Sequence, residues 1–208
     1  MNTIRNIYCV GRNYVEHVKE LQNKIPDKPV IFSKTTHSLV KADGSLIELP
    51  NNKGEVHYEV ELVVKMGEDY APEKAVDQLI DEMAIGLDLT LRDVQQALKE
   101  QGYPWLLSKG FRNSAIISEF IYFPGLDECK KQNFSLRIND KIVQEGNIAQ
   151  MMFDMESLLR FIGDNLGLGK GDIIFTGTPS GVGPLKNKDH LSLRWGQQEL
   201  GSCTIGLE

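Results

Sequence analysis

Glu59 and Glu61 stand two residues apart in the run His57-Tyr58-Glu59-Val60-Glu61-Leu62-Val63-Val64. Read as a strand, this run puts Tyr58, Val60, Leu62 and Val64 on one apolar face and Glu55, His57, Glu59 and Glu61 on the other. Two carboxylates about 6.6 Å apart along a strand repel by roughly 2.5 kcal/mol at an effective dielectric of about 20. A cation between them relieves that repulsion, and a hard divalent ion, Mg²⁺ or Ca²⁺, suits an all-oxygen donor set. The other reading is a half-buried antiparallel strand with its acidic face in solvent.

Further along the chain, other residue types carry chemistry at suggestive spacings. His17 and Glu20 are three apart in an amphipathic stretch over residues 12–22, so they share a helix face and can hydrogen-bond. A carboxylate beside an imidazole fixes its tautomer and raises its basicity, as a general base requires, and the same spacing also describes a surface ion pair. Asp88 closes a strand-like run just before a helix, where a residue serves a ligand or caps a turn. Lys109 interrupts an apolar run at 105–111, and either snorkels to solvent or sits by a negative site. Arg12 follows Gly11 and either caps the helix start or touches a ligand, while Arg92 and Gln95 lie one turn apart on their helix. The glycine-rich segment 176–184 lets amides and threonine hydroxyls approach an anion. No helix pattern follows it and no Gly-Lys-Ser/Thr ends it, which argues against a nucleotide loop.

The elements that must position these groups are short and mostly extended. Strands are predicted near 7–10, 28–33, 45–49 after an Asp43-Gly44 turn, 83–89, and 114–123 as one strand or a pair. Hairpins are predicted for 134–143 across Asn139-Asp140 and for 191–207 across Gly196-Gln197, with a short buried strand at 172–175. Helices are predicted at 73–81, at 90–101 with Thr90 and Asp93 as a capping box, and at 155–166 with Leu158, Leu159, Phe161 and Ile162 buried. With 208 residues and no linker-like stretch, one domain over 1–208 is expected. A net charge of -6 argues against nucleic-acid binding, which needs a basic stripe. Cys9, Cys129 and Cys203 fit no ligand spacing and read as free thiols of a reducing compartment. Residues 1–6 lack a basic region leading into an apolar core and no apolar run reaches spanning length, so a soluble, cytoplasmic protein with no membrane partner is expected.

Taken together, the motifs follow one another in a recognisable order: Gly11-Arg12-Asn13-Tyr14 with His17 and Glu20, the 57–62 segment, Leu87-Asp88-Leu89-Thr90 with Arg92 and Gln95, Pro104-Trp105 with Lys109 and Phe111, and Gly171-Asp172 leading to Thr176-Gly177-Thr178-Pro179-Ser180-Gly181-Val182-Gly183. This resembles the fumarylacetoacetate hydrolase family, in particular its small acylpyruvate hydrolase members. The resemblance implies an α+β, mostly β fold, a mixed β-roll with a few peripheral helices, and a homodimer. It implies Glu59, Glu61 and Asp88 as ligands of Mg²⁺ (alternatively Mn²⁺ or Ca²⁺), and His17 with Glu20 as the water-activating pair beside Lys109. Arg12, Arg92, Gln95 and Thr178 would bind a small 2-oxo acid substrate. The reaction implied is cleavage of an acylpyruvate to pyruvate and a carboxylic acid; oxaloacetate decarboxylation or keto–enol tautomerisation at the same site are the alternatives. Ile148-Ala149, where relatives often carry a Thr or Ser pair, and Gly110 and Arg112 depart from the pattern and leave the acyl group open.

Overall fold

The strand Val60–Met66 runs through the middle of an eight-stranded mixed sheet, between Ile173–Phe175 and Ile80–Asp88. In this computed structural model residues 4–22 and 24–207 are described; residues 1–3, part of the stretch read as lacking a leader, lie outside the described residues, as do 23 and 208. Ile7–Gly11 and Val30–Lys34 extend the sheet on one side, and Ala115–Ile117 with Leu39–Lys41 on the other. The two-residue strand Ile121–Tyr122 also pairs with Ile80–Asp88, so the 114–123 segment is two strands. A five-stranded sheet, in the order Lys141–Gly146, Phe134–Ile138, His190–Trp195, Gln198–Leu207 and Asp43–Leu49, contains both expected hairpins. The result is the expected α+β, mostly β curled roll with peripheral helices.

Val60–Met66 is buried at every residue, which corrects the reading of a solvated acidic face. Val60, Leu62 and Val64 enter the main core beside Met83, Ile85 and Leu87. On the reverse face Val63 packs with Ile7, Cys9, Ala84 and Phe175 in a second core. Glu61 shares that reverse face, so the alternation marks a carboxylate held inside the protein rather than one in water. The strand also breaks at Glu59. Val56–Tyr58 belongs to a separate small sheet with Gly183–Pro184 and Thr90–Leu91.

Two helices start later than predicted, each for a visible reason. Arg12 adopts φ 61°, left-handed backbone that cannot begin a helix, and Tyr14 bridges Met151, so the first helix is Val15–Glu20. Thr90 is used as strand, and Asp93 accepts from the Glu55 amide instead of closing a capping box; that helix is Arg92–Glu100. The helix expected over 73–81 is cut to Val76–Leu79 because Ile80 and Asp81 already pair in the long strand. Asp43-Gly44 opens a strand, Gly44 supplying φ 89° at an irregular register, rather than forming a turn. Met155–Leu166 forms as expected, Asp154 accepting from the Ser157 amide at its start; Leu158, Leu159 and Ile162 are buried while Phe161 is half-buried. Cys9, Cys129 and Cys203 are free and buried. Among the described residues no helix is long and apolar enough to cross a membrane.

Candidate active site

Glu61 sits opposite Gly86 in the strand register, and Asp88 follows two residues later on the same face. Glu59, at the break before Val60, turns toward the same point, and the Asp88 amide donates to its carbonyl at 2.8 Å. One oxygen from each of Glu59, Glu61 and Asp88 lies within 4.8 Å of the others, and all three residues are buried. Gly86 is required here because a Cβ would stand 2.6 Å from Phe175 Cε1.

Cations arrive from three elements. The Leu106–Lys109 helix delivers Lys109, whose ammonium donates to Glu59 Oε2 at 2.8 Å and to Asp88 Oδ2 at 2.7 Å, so the lysine does not snorkel. Arg92, in the first turn of its helix, donates to Glu59 Oε1 at 2.6 Å and to Gln95 Oε1 at 2.7 Å. Lys34 ends the Val30–Lys34 strand with its ammonium 2.8 Å from Asp88 Oδ1, while donating to the carbonyls of Leu89, Lys109 and Ser114.

The electrostatics differ among the three acids. Burial opposes ionisation of Glu59, but Lys109, Arg92 and His17 outweigh it and hold the carboxyl well below the usual carboxylate range. Burial and the charge of Asp88 drive Glu61 well above that range, the Gly177 amide at 2.7 Å being insufficient to offset them. Lys109 is driven up, because Asp88 and Glu59 outweigh the effect of burial. Asp88 Oδ1 receives no hydrogen bond although it is buried and Lys34 is close. An orphaned carboxylate oxygen beside an acid that lacks a cationic partner fits a hard divalent ion, and the donors are all oxygen.

The remaining site groups line the opposite wall and the mouth of a recess with about 390 Å³ of empty space. His17 is buried and lines it, its Nδ1 3.3 Å from Glu20 Oε2, and Glu20 Oε1 accepts from the Gly181 amide at 3.0 Å. Burial lowers the His17 pKa below its ordinary 6.5 despite the opposing charges of Glu59 and Glu20. Arg12, Arg92, Gln95, Lys109 and Thr178 all line the same recess. The glycine-rich segment thus supplies the Thr178 side chain and two amides, at Gly177 and Gly181. Gly177 has φ 105°, and a Cβ there would lie 2.7 Å from that of Asn13.

Three residues were not singled out by the sequence. Lys34 gives the same signal as Lys109, a lysine at the end of an apolar run, and was read as scaffold. Gln144 accepts from the Val60 amide and donates to Thr178 Oγ1, both at 2.9 Å; nothing in a hairpin strand announces that role. Lys99 lies seven residues after Arg92 and four after Gln95, so helical spacing alone places it on the recess face.

Residues 6–206 match the fumarylacetoacetate (FAA) hydrolase C-terminal family. The oxaloacetate tautomerase FAHD1, mitochondrial, of Homo sapiens is 37% identical over 206 residues, covering 98% of this chain and 92% of that protein. The oxaloacetate decarboxylase, mitochondrial, of Dictyostelium discoideum is 39% identical over 187 residues, 88% of this chain and 85% of that one. The crystal structure of fumarylpyruvate hydrolase from Pseudomonas aeruginosa in complex with Mn²⁺ and pyruvate matches with a TM-score of 0.89 at 30% identity, covering 99% of this chain and 91% of that chain.

Proposed function

The chain belongs to the fumarylacetoacetate hydrolase family, and from that premise we propose that it is a divalent-cation-dependent oxaloacetate tautomerase, interconverting the keto and enol forms of a small 2-oxo acid. The observation that carries this reading is the buried His17–Glu20 pair opening onto the same recess as the three carboxylates and Lys109. Glu59, Glu61 and Asp88 would hold Mg²⁺ or Mn²⁺. Such an ion, when bound, supplies a Lewis acid that favours negative charge on the 2-oxo oxygen.

Enolisation needs one base and one stabilised oxygen. Glu20 occupies Nδ1 of His17, which leaves Nε2 to take a proton from C3 of the substrate. The released electron pair forms the C2–C3 double bond, and the carbonyl pair moves onto oxygen, which the Lys109 charge helps to stabilise. Protonation of that oxygen gives the enol, and the reverse sequence gives the ketone. Arg92, Gln95 and Thr178 would orient the C1 carboxylate. No attacking water is needed.

Acylpyruvate hydrolysis, the reaction first implied by the resemblance, is the second reading; the match to fumarylpyruvate hydrolase favours it. There His17 would instead take a proton from water attacking the 4-oxo carbon. Adding enol-oxaloacetate, oxaloacetate and short 2,4-dioxo acids separately to the Mg²⁺- or Mn²⁺-supplied protein separates the reactions. Decay of enol ultraviolet absorbance without carbon dioxide or acid release supports the tautomerase. Stoichiometric pyruvate and carboxylic acid from a dioxo acid, with no effect on the enol, replaces it with the hydrolase. The homodimer is part of the same proposal, and sedimentation velocity measures it directly.

A further inference from the structure

Two cations in this recess have no acid to neutralise them. Lys99 Nζ lies 5.5 Å, and Arg12 Cζ 6.0 Å, from the centroid of the same Trp105 ring. The recess carboxylates are engaged elsewhere: Glu59 by Arg92 and Lys109, Asp88 by Lys109 and Lys34, and Glu61 by the Gly177 amide. Among the described residues neither Arg12 nor Lys99 has a carboxylate partner.

The arrangement is unfavourable as it stands. Arg12 keeps a left-handed backbone, φ 61°, which costs a non-glycine residue about 1 kcal/mol or more. Burial, followed by the charges of Arg12, Arg92 and Lys109, pushes the Lys99 ammonium down to about 8. Arg92 adds a buried Nε with no hydrogen-bond partner. A protein with a net charge of -6 has concentrated like charge at the mouth of one small cavity. An anion placed there removes the repulsion and satisfies the donors together.

We infer that Arg12 and Lys99, seated on Trp105, form a subsite for a second carboxylate, so that the preferred substrate is a 2-oxo acid with a carboxylate at each end. This rests on the reading above, in which the first carboxylate is held at Arg92, Gln95 and Thr178. It also bears on which reaction follows. Decarboxylation breaks the C3–C4 bond, leaves its electron pair to form the enolate and releases the distal carboxylate as neutral carbon dioxide. That departure forfeits both ion pairs, whereas proton transfer at C3 keeps them. The subsite therefore selects diacids and steers a bound diacid toward tautomerisation.

Malate and lactate are both 2-hydroxy acids, and malate alone has the second carboxylate. Calorimetry with each, in the presence of Mn²⁺, is expected to show malate preferred by about tenfold, the worth of one charge-assisted hydrogen bond. Lys99→Met is expected to abolish that preference without weakening lactate, and Lys99→Arg to retain it. In the same Met variant, the share of oxaloacetate lost as carbon dioxide rises relative to enol conversion. An undiminished preference in Lys99→Met, or no preference in the unsubstituted protein, overturns the subsite. The malate and lactate comparison involves no turnover, so it decides independently of whether oxaloacetate is processed.

Discussion

Lys34 Nζ lies 2.8 Å from Asp88 Oδ1 yet directs its hydrogens to backbone carbonyls, leaving that oxygen without a donor. One fully buried ammonium therefore ties the segments after Ile80–Asp88, at the end of Leu106–Lys109, and before Ala115–Ile117, while neutralising the acid at their junction. The orphaned oxygen is left facing the recess side of the site.

Removing that ammonium strands a carboxylate and three carbonyls in low dielectric. Lys34→Met is expected to lower stability by about 3–5 kcal/mol, the range for breaking a buried ion pair from one side. Urea unfolding measures it. A loss under about 1 kcal/mol would mean that the lysine is not what holds these segments together.

The proposed base is separable from the proposed ion site because His17 approaches from another helix. His17→Ala is expected to slow enol conversion by about 10²–10⁴-fold, the usual contribution of a positioned base, with Mn²⁺ affinity unchanged by calorimetry. Glu20→Gln is expected to be milder, since Nδ1 keeps a neutral hydrogen-bond partner. A His17→Ala variant of undiminished rate would remove the imidazole from the mechanism.

Acidity sets two limbs of kcat/KM for oxaloacetate. Burial keeps His17 neutral, and so a base, below its ordinary 6.5; the rate holds through that value and falls only at lower pH. Lys99 faces Arg12 at the end of the first strand, Arg92 on its own helix, Lys109 on the next helix and Glu59 at the strand break, and its ammonium titrates at about 8. As pH rises through that value the cation is lost and kcat/KM declines. Lys99→Arg, permanently charged, is expected to remove the alkaline limb, and persistence of that limb at about 8 would assign it to another group.

Periodicity made much of this legible before the structure. The 155–166 helix, the two hairpins and the reverse-face position of Glu61 follow from local spacing, because each is decided by neighbours in sequence. Burial of the acidic face was not legible. It depends on Phe175, Cys9 and Ile7 arriving from both ends of the chain to build the second core around Val63. The late start of the Arg92–Glu100 helix has the same origin, since Thr90 prefers a cap only until Val56 and His57 offer it a strand partner. Lys34 and Gln144 act through backbone groups distant in sequence, and residue type alone carries no trace of such a role.

Convergence of Glu59, Glu61 and Asp88 on one divalent cation that enolisation requires is best tested by following enol-oxaloacetate decay after exhaustive chelation and then stepwise return of Mg²⁺ or Mn²⁺. The expected result is loss of catalysed decay and its full recovery at a single saturable site, with Glu61→Gln and Asp88→Asn failing to recover. Undiminished catalysis by the chelated protein would contradict the account.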